Sequence, residues 1–150
     1  MRKLRLWSVL ALVFLLYSSP AQAAGQLDVV GKFFANGVEF DIATYTEGAD
    51  KVAVVGIARH ISVAFDSVEW GTFVSLWQRA ARQEANSWQF IGSFKETGTK
   101  DMDLLVVTAG PGVQFTIMDP MKGTLSFVLA KSDFDRFDAS VRQVTEYFAQ

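Results

Sequence analysis

The chain repeats itself, and that repetition limits its folds more than any other feature. Ile61 to Phe65 reads as a strand and runs through Asp66-Ser67-Val68-Glu69 into a helical pattern with apolar Trp70, Phe73, Trp77 and Ala80. At a shift of 64, Leu125 to Leu129 reads as a strand, and Ser132 with Asp133 opens a helix with apolar Phe134, Phe137, Val141, Val144 and Phe148. Both helices carry the same 3, 4, 3 spacing in the same phase. Upstream, Val30 to Gly37 matches Ile91 to Gly98 at a shift of 61, with Gly, Phe and Gly coinciding. Each copy continues with a strand-like run, Val38 to Thr46 or Met102 to Thr108, and then a third, Val52 to Ala58 or Val113 to Met118. The turns carry the residues that tight reversals need: Asn36-Gly37, Gly48 to Asp50, Gly110-Pro111-Gly112 and Asp119 to Gly123.

Each unit therefore reads strand, strand, strand, strand, helix, over residues of about 24–86 and 87–150. The linker-like stretch Arg82 to Ser87 falls between them and is too short to separate two domains. A single such unit leaves one sheet face bare, whereas two can cover each other. The expected fold is α+β: two tandem ββββα units closed into one intramolecular pseudo-dimer, with antiparallel sheets and two packed helices. Asp66-x-x-Glu69 has capping-box spacing, and Ser132, Asp133 and Asp135 place acceptors and negative charge on the first turn of the second helix.

The first 23 residues read as an export signal. Met1 to Arg5 is basic, Leu6 to Tyr17 is an apolar run too short to anchor in a bilayer, and Ser18-Ser19-Pro20 precedes the small-x-small site Ala21-Gln22-Ala23. Cleavage after Ala23 leaves a single domain, 24–150, with no membrane span, in the periplasm or outside the cell. Three of the 14 Lys and Arg and none of the 16 Asp and Glu stand in the leader, so the mature chain holds 11 against 16 and a formal charge of −5. That acidity counts against nucleic acid as a partner, because such affinity comes from neutralising phosphates. With no cysteine there is neither a disulfide nor a thiolate, and the fold stands on packing alone.

Two ββββα units in tandem resemble the PUR and whirly families, in which sheets and helices of two units interlock and which bind single-stranded nucleic acid. The resemblance lies in the order of elements across the mature chain. It carries over a fold and no residues: the basic Lys-Gly-Lys stretch of whirly proteins is absent, and the strands are not rich in Lys and Arg.

Few side chains point to chemistry. His60 is the lone histidine, so no zinc site of the common His and Cys types and no His-assisted triad is available, and no Gly-x-Ser-x-Gly occurs. No catalytic residue, metal or cofactor is assigned. Asp133, Asp135 and Asp138 read as a helix start rather than a cation site. The candidate ligand-binding residues are Arg59 and His60, a cationic pair between two predicted strands; Arg79 and Arg82, near the end of the first helix; and Trp88, which with Phe90 follows the linker as an apolar patch.

By exclusion, the expected function is that of an exported, non-enzymatic binding or interaction protein. Its partner is a protein of the envelope or a small apolar ligand between sheet and helix, and open sheet edges would admit a homodimer. The alternatives are a carboxylate-based hydrolase or isomerase, which needs Asp41 or Asp103 beside another buried acid, and a single-stranded nucleic-acid binder, which needs a basic groove.

Overall fold

The computed structural model describes residues 25–95 and 103–150. The expected leader, with its cleavage site, and residues 96–102, with Gly98 of the repeat and Met102 of the second-strand run, lie outside the described residues. Four strands come first: β1 (Gln26–Ala35), β2 (Val38–Glu47), β3 (Asp50–Ile57) and β4 (Ile61–Phe65). Helix α1 (Ser67–Ala81) follows, then β5 (Gln89–Lys95), β6 (Leu104–Ala109), β7 (Gly112–Asp119) and β8 (Gly123–Ala130). A single 3₁₀ turn (Lys131–Asp133) leads into α2 (Phe134–Ala149). The strands form two antiparallel sheets, β1-β2-β3-β4 and β5-β6-β7-β8, so the protein is α+β with two four-stranded sheets and two helices.

The strands fall where period and turn residues place them, within a residue or two at most ends. Asn36 and Gly37 both take positive φ, 52° and 77°, as the tight β1–β2 hairpin requires. Helix α1 begins with the expected capping box. The Asp66 carboxylate accepts from the amides of Val68 and Glu69, both at 2.8 Å, and the Glu69 carboxylate accepts from the Asp66 amide. The second helix starts differently. Asp133 makes no side-chain cap; its carboxylate takes the Arg136 guanidinium at 3.0 Å, and the 3₁₀ turn tightens the start in place of a cap.

Each helix crosses to the sheet that does not precede it: α1 lies mainly on β5 and β6, and α2 on β1 and β2. Both edge strands are bulged at matching places, between Val29 and Gly31 and between Phe90 and Gly92. The glycine at each bulge is where the crossing helix comes closest. A Cβ on Gly31 would meet Ser140 of α2, and one on Gly92 would meet Leu76 of α1. Gly31→Ala is therefore expected to cost about 1–3 kcal/mol, because the Ser140 Cβ and the Phe33 ring already lie 3.0 Å from the new atom. Gly71→Ala, in the exposed middle of α1 with nothing within 4 Å, is expected to stabilise by roughly 0.5–1 kcal/mol. Urea denaturation of the two variants reads both signs.

Between the sheets and helices the core is aromatic. Phe137 of α2 sits at its centre, with ring centroids 5.1 Å from Phe33, 5.3 Å from Phe115 and 4.4 Å from Trp77. Phe40 packs on Phe115 and Phe127, and Phe65 on Phe73 and Phe94, so rings from both sheets and both helices interleave. The helices are tied side by side by two indoles: Trp77 donates to Asp138 Oδ1 at 3.2 Å and Trp70 to Thr145 Oγ1 at 3.1 Å. Among the described residues no helix is long and apolar enough to cross a membrane.

Candidate functional site on the outer face of the first sheet

A strand shows its side chains to alternate faces, so each sheet has an inner face toward the aromatic core and an outer face away from it. In the first sheet the pairing aligns three outer rows: Lys32, Asp41, Gly56 and Ser62; Val29, Ala43, Val54 and Ala64; Leu27, Tyr45 and Val52. The extra residue at the β1 bulge keeps Val29 and Lys32 on the same face although they are three positions apart. In the second sheet the matching rows are Ser93, Val106, Thr116 and Ser126, and Phe90, Thr108, Gln114 and Val128.

The two outer faces differ in chemistry. On the second sheet these side chains are partly or fully exposed, and Gln114, Thr116 and Ser126 hydrogen-bond to one another. On the first, Asp41, Ala43, Tyr45, Val52, Val54, Ser62 and Ala64 are each at most 7% exposed, yet the apolar ones stand outside the core cluster. Three polar atoms on this face lack a well-formed hydrogen bond among the described residues: Asp41 Oδ1, Tyr45 OH and Ser62 Oγ. Burial and the nearby Glu47 carboxylate hold the Tyr45 proton more tightly than usual. Gly56 separates Asp41 from Ser62 and leaves a notch between them, with no side chain on its floor.

One end of the face is charged. Glu39 Oε1 accepts from Lys32 Nζ at 3.2 Å and from Arg59 Nε at 3.1 Å. Burial works to raise the Glu39 pKa, but hydrogen bonds from Asp41, Lys32 and Arg59 outweigh it and hold it below the usual range. Asp41, two residues along the same strand face, is pushed up to about 6, first by burial and then by the hydrogen bond and charge of Glu39. Of the two, Asp41 holds its proton the more tightly and Glu39 ionises first. A second acid, Asp103 at the start of β6, is also pushed up to about 6 by burial and by the charge of Asp119.

The residues singled out in the sequence scatter. Arg59 and His60 form the β3–β4 turn as expected, both exposed, and Arg59 is engaged by Glu39. Arg79 donates to the Ile91 carbonyl and so ties α1 to β5; Arg82 is the exposed C-cap of α1. Trp88 is 46% and Phe90 68% exposed, an apolar pair at the start of β5. Of the five, only Arg59 touches the charged end of the outer face. Asp138 is taken up by Trp77 and Arg142, and among the described residues no three His, Asp or Glu side chains gather to hold a metal ion.

The signal for the outer face was present in the strands. Val113-Gln114-Phe115-Thr116-Ile117 alternates cleanly, as a strand with one wet face must, whereas Val52-Ala53-Val54-Val55 does not alternate at all. No protein-family model and no curated protein matches this chain.

Proposed function

We propose that the protein is an exported, non-enzymatic binding module, cut after Ala23, that docks a protein partner of the cell envelope on the outer face of its first sheet. The observation that carries the reading is that Ala43, Val52, Val54 and Ala64 form an apolar layer outside the core, while the corresponding positions of the second sheet are polar or exposed. Proteins do not maintain such a face unless something covers it. The buried Ser62 Oγ, with no hydrogen-bond partner among the described residues, adds a position where a partner's donor gains direction. A small ligand between sheet and helix fits less well, since aromatic rings interleave through that space. A nucleic-acid role fits less well too, because Lys32 and Arg59 are engaged by Glu39 and the second sheet's outer rows hold Ser, Thr and Gln.

The same reading takes the halves as two copies of one unit in an intramolecular pseudo-dimer. The matching bulges at Gly31 and Gly92 and the exchange of helices between sheets support it.

The test is made on residues 24–150. That chain is expected to bind an apolar fluorescent dye or to self-associate in sedimentation, and Val54→Asp to abolish either behaviour in a chain that still folds. A monomer without dye binding, or a Val54→Asp chain that fails to fold, overturns the reading.

One observation favours a second function. Glu39 and Asp41 are paired acids of opposed proton affinity, the arrangement that acid–base hydrolases and isomerases use. Turnover of a chromogenic ester or glycoside that is lost in Asp41→Asn would favour it. It ranks second because two cations already engage Glu39.

A further inference from the structure

We propose that the outer face of the second sheet binds a neutral glycan chain, with Trp88 and Phe90 as the platform on which its sugar rings stack and the hydroxyl and amide groups of the neighbouring rows as its hydrogen-bonding partners.

Trp88 is 46% and Phe90 68% exposed, and neither belongs to the core or packs at its margin. Phe90 stands on the outer face, opposite Thr108. The same antiparallel register carried one step further sets Trp88 opposite Gly110. The chain does run there, since a Cβ on Gly110 would come within 3.2 Å of the Trp88 Cα. Strand alternation then gives the two residues one face, about 7 Å apart along the chain. The Gly110 amide donates to the Gly112 carbonyl at 2.9 Å, and Gly112 faces Ala130, so the row that Trp88 opens holds no other bulky side chain. The fold does not require rings at these positions. At the shift of 61 that relates the two halves of the sequence, Leu27 and Val29 stand in the matching places.

Beside the rings the face is polar and already ordered. Gln114 Nε2 donates to Thr116 Oγ1 at 3.3 Å, and Thr116 and Ser126 share a hydrogen bond of 2.8 Å, so an amide and two hydroxyls form a connected line across β7 and β8. Thr108 and the exposed Ser93 add hydroxyls on the β5–β6 side. The three rows that begin at Trp88, Phe90 and Ser93 contain no charged side chain. Charge therefore selects the ligand. A phosphate backbone would find no cation to neutralise it, and the charged side chains of a protein surface would lose water without gaining a partner. The ligand that fits is uncharged and offers C–H groups to the electron-rich ring faces together with many hydroxyls for the line beside them. A neutral sugar chain has both, and its successive units engage both rings at once.

Affinity electrophoresis tests the proposal: the full chain is run in native gels containing one of three neutral polymers, hydroxyethylcellulose, laminarin or glycol chitin. At least one polymer is expected to retard the protein. Trp88→Ala and Phe90→Ala are each expected to weaken that binding about tenfold, the loss of one stacking surface. Both side chains are exposed, so the variants should keep the urea midpoint of the parent. A protein that none of the three polymers retards overturns the proposal, as does retardation that survives intact in the Trp88→Ala, Phe90→Ala double variant. Retardation by a single-stranded oligonucleotide and by no glycan overturns it as well. The docking reading of the first sheet stands or falls separately, because none of these residues lies on that sheet.

Discussion

Phe137→Ala is expected to cost about 3–5 kcal/mol of folding stability. The side chain is completely buried, and its ring is the point where the two halves meet. It touches Phe33 and Phe40 of the first sheet, Phe115 of the second, and Phe73 and Trp77 of the other helix. Neighbours held on four different elements cannot all move in to refill the space, so most of the cavity remains, and the cavity adds to the lost transfer energy. The denaturation midpoint in urea should fall sharply with an unchanged slope. Phe90→Ala, on an exposed ring of the second sheet, should stay within about 0.5 kcal/mol of the parent. A Phe137→Ala loss below about 1 kcal/mol would mean that the halves do not share one core.

That shared core was legible in advance because its signals are local. Phe134, Phe137, Val141 and Val144 fall on one helical face, as do Trp70, Phe73, Trp77 and Ala80, and seven of these eight are buried, with Phe134 packed at the margin. The turns, the capping box at Asp66 and the succession of four strands and a helix follow from residue types at fixed spacing. The exchange of helices between sheets could not be read this way, since nothing in α1 itself states which sheet it will meet; Gly31 and Gly92 mark the crossings only once Ser140 and Leu76 are seen above them. The candidate site was legible only in part: Asp41 was named as an acid in need of a neighbouring acid, but its partner Glu39 was not. Glu39 and Asp41 are visible two residues apart, but their placement beside Lys32 depends on a bulge in a different strand, and Arg59 arrives from a turn 20 residues later. Of the cation pair expected at Arg59 and His60, Arg59 joins the ion cluster at Glu39, and His60 is exposed in the same turn. Chemistry that depends on register is set by long-range pairing, and single-strand patterns do not encode it.

The acid cluster predicts an inverted pH dependence. Asp41 binds its proton about 100-fold more tightly in the folded protein than in the unfolded chain, since its pKa stands at about 6 against an ordinary value of 3.8. Asp103 is shifted in the same direction and to the same value. A carboxyl whose folded pKa is raised favours the folded state when protonated, so stability declines as pH rises from about 4 to about 6, and the loss is complete above that window. Glu39 acts with the opposite sign. Its pKa is lowered, so its contribution disappears only at pH values below the ordinary glutamate range, beneath the window set by the two aspartates. The thermal midpoint is therefore expected to be higher at pH 5 than at pH 7.5, the reverse of the behaviour of a protein held together by charged carboxylates. Asp41→Asn should raise the midpoint at pH 7.5 and remove about half of the slope, and Asp41→Asn with Asp103→Asn should flatten the profile across the window. A wild-type midpoint that climbs from pH 5 to pH 7.5, or an Asp41→Asn variant that keeps the whole slope, would show that Asp41 is hydrated and titrates in the ordinary carboxylate range. The outer face would then present an ordinary surface carboxylate instead of a buried acid hydrogen-bonded to Glu39.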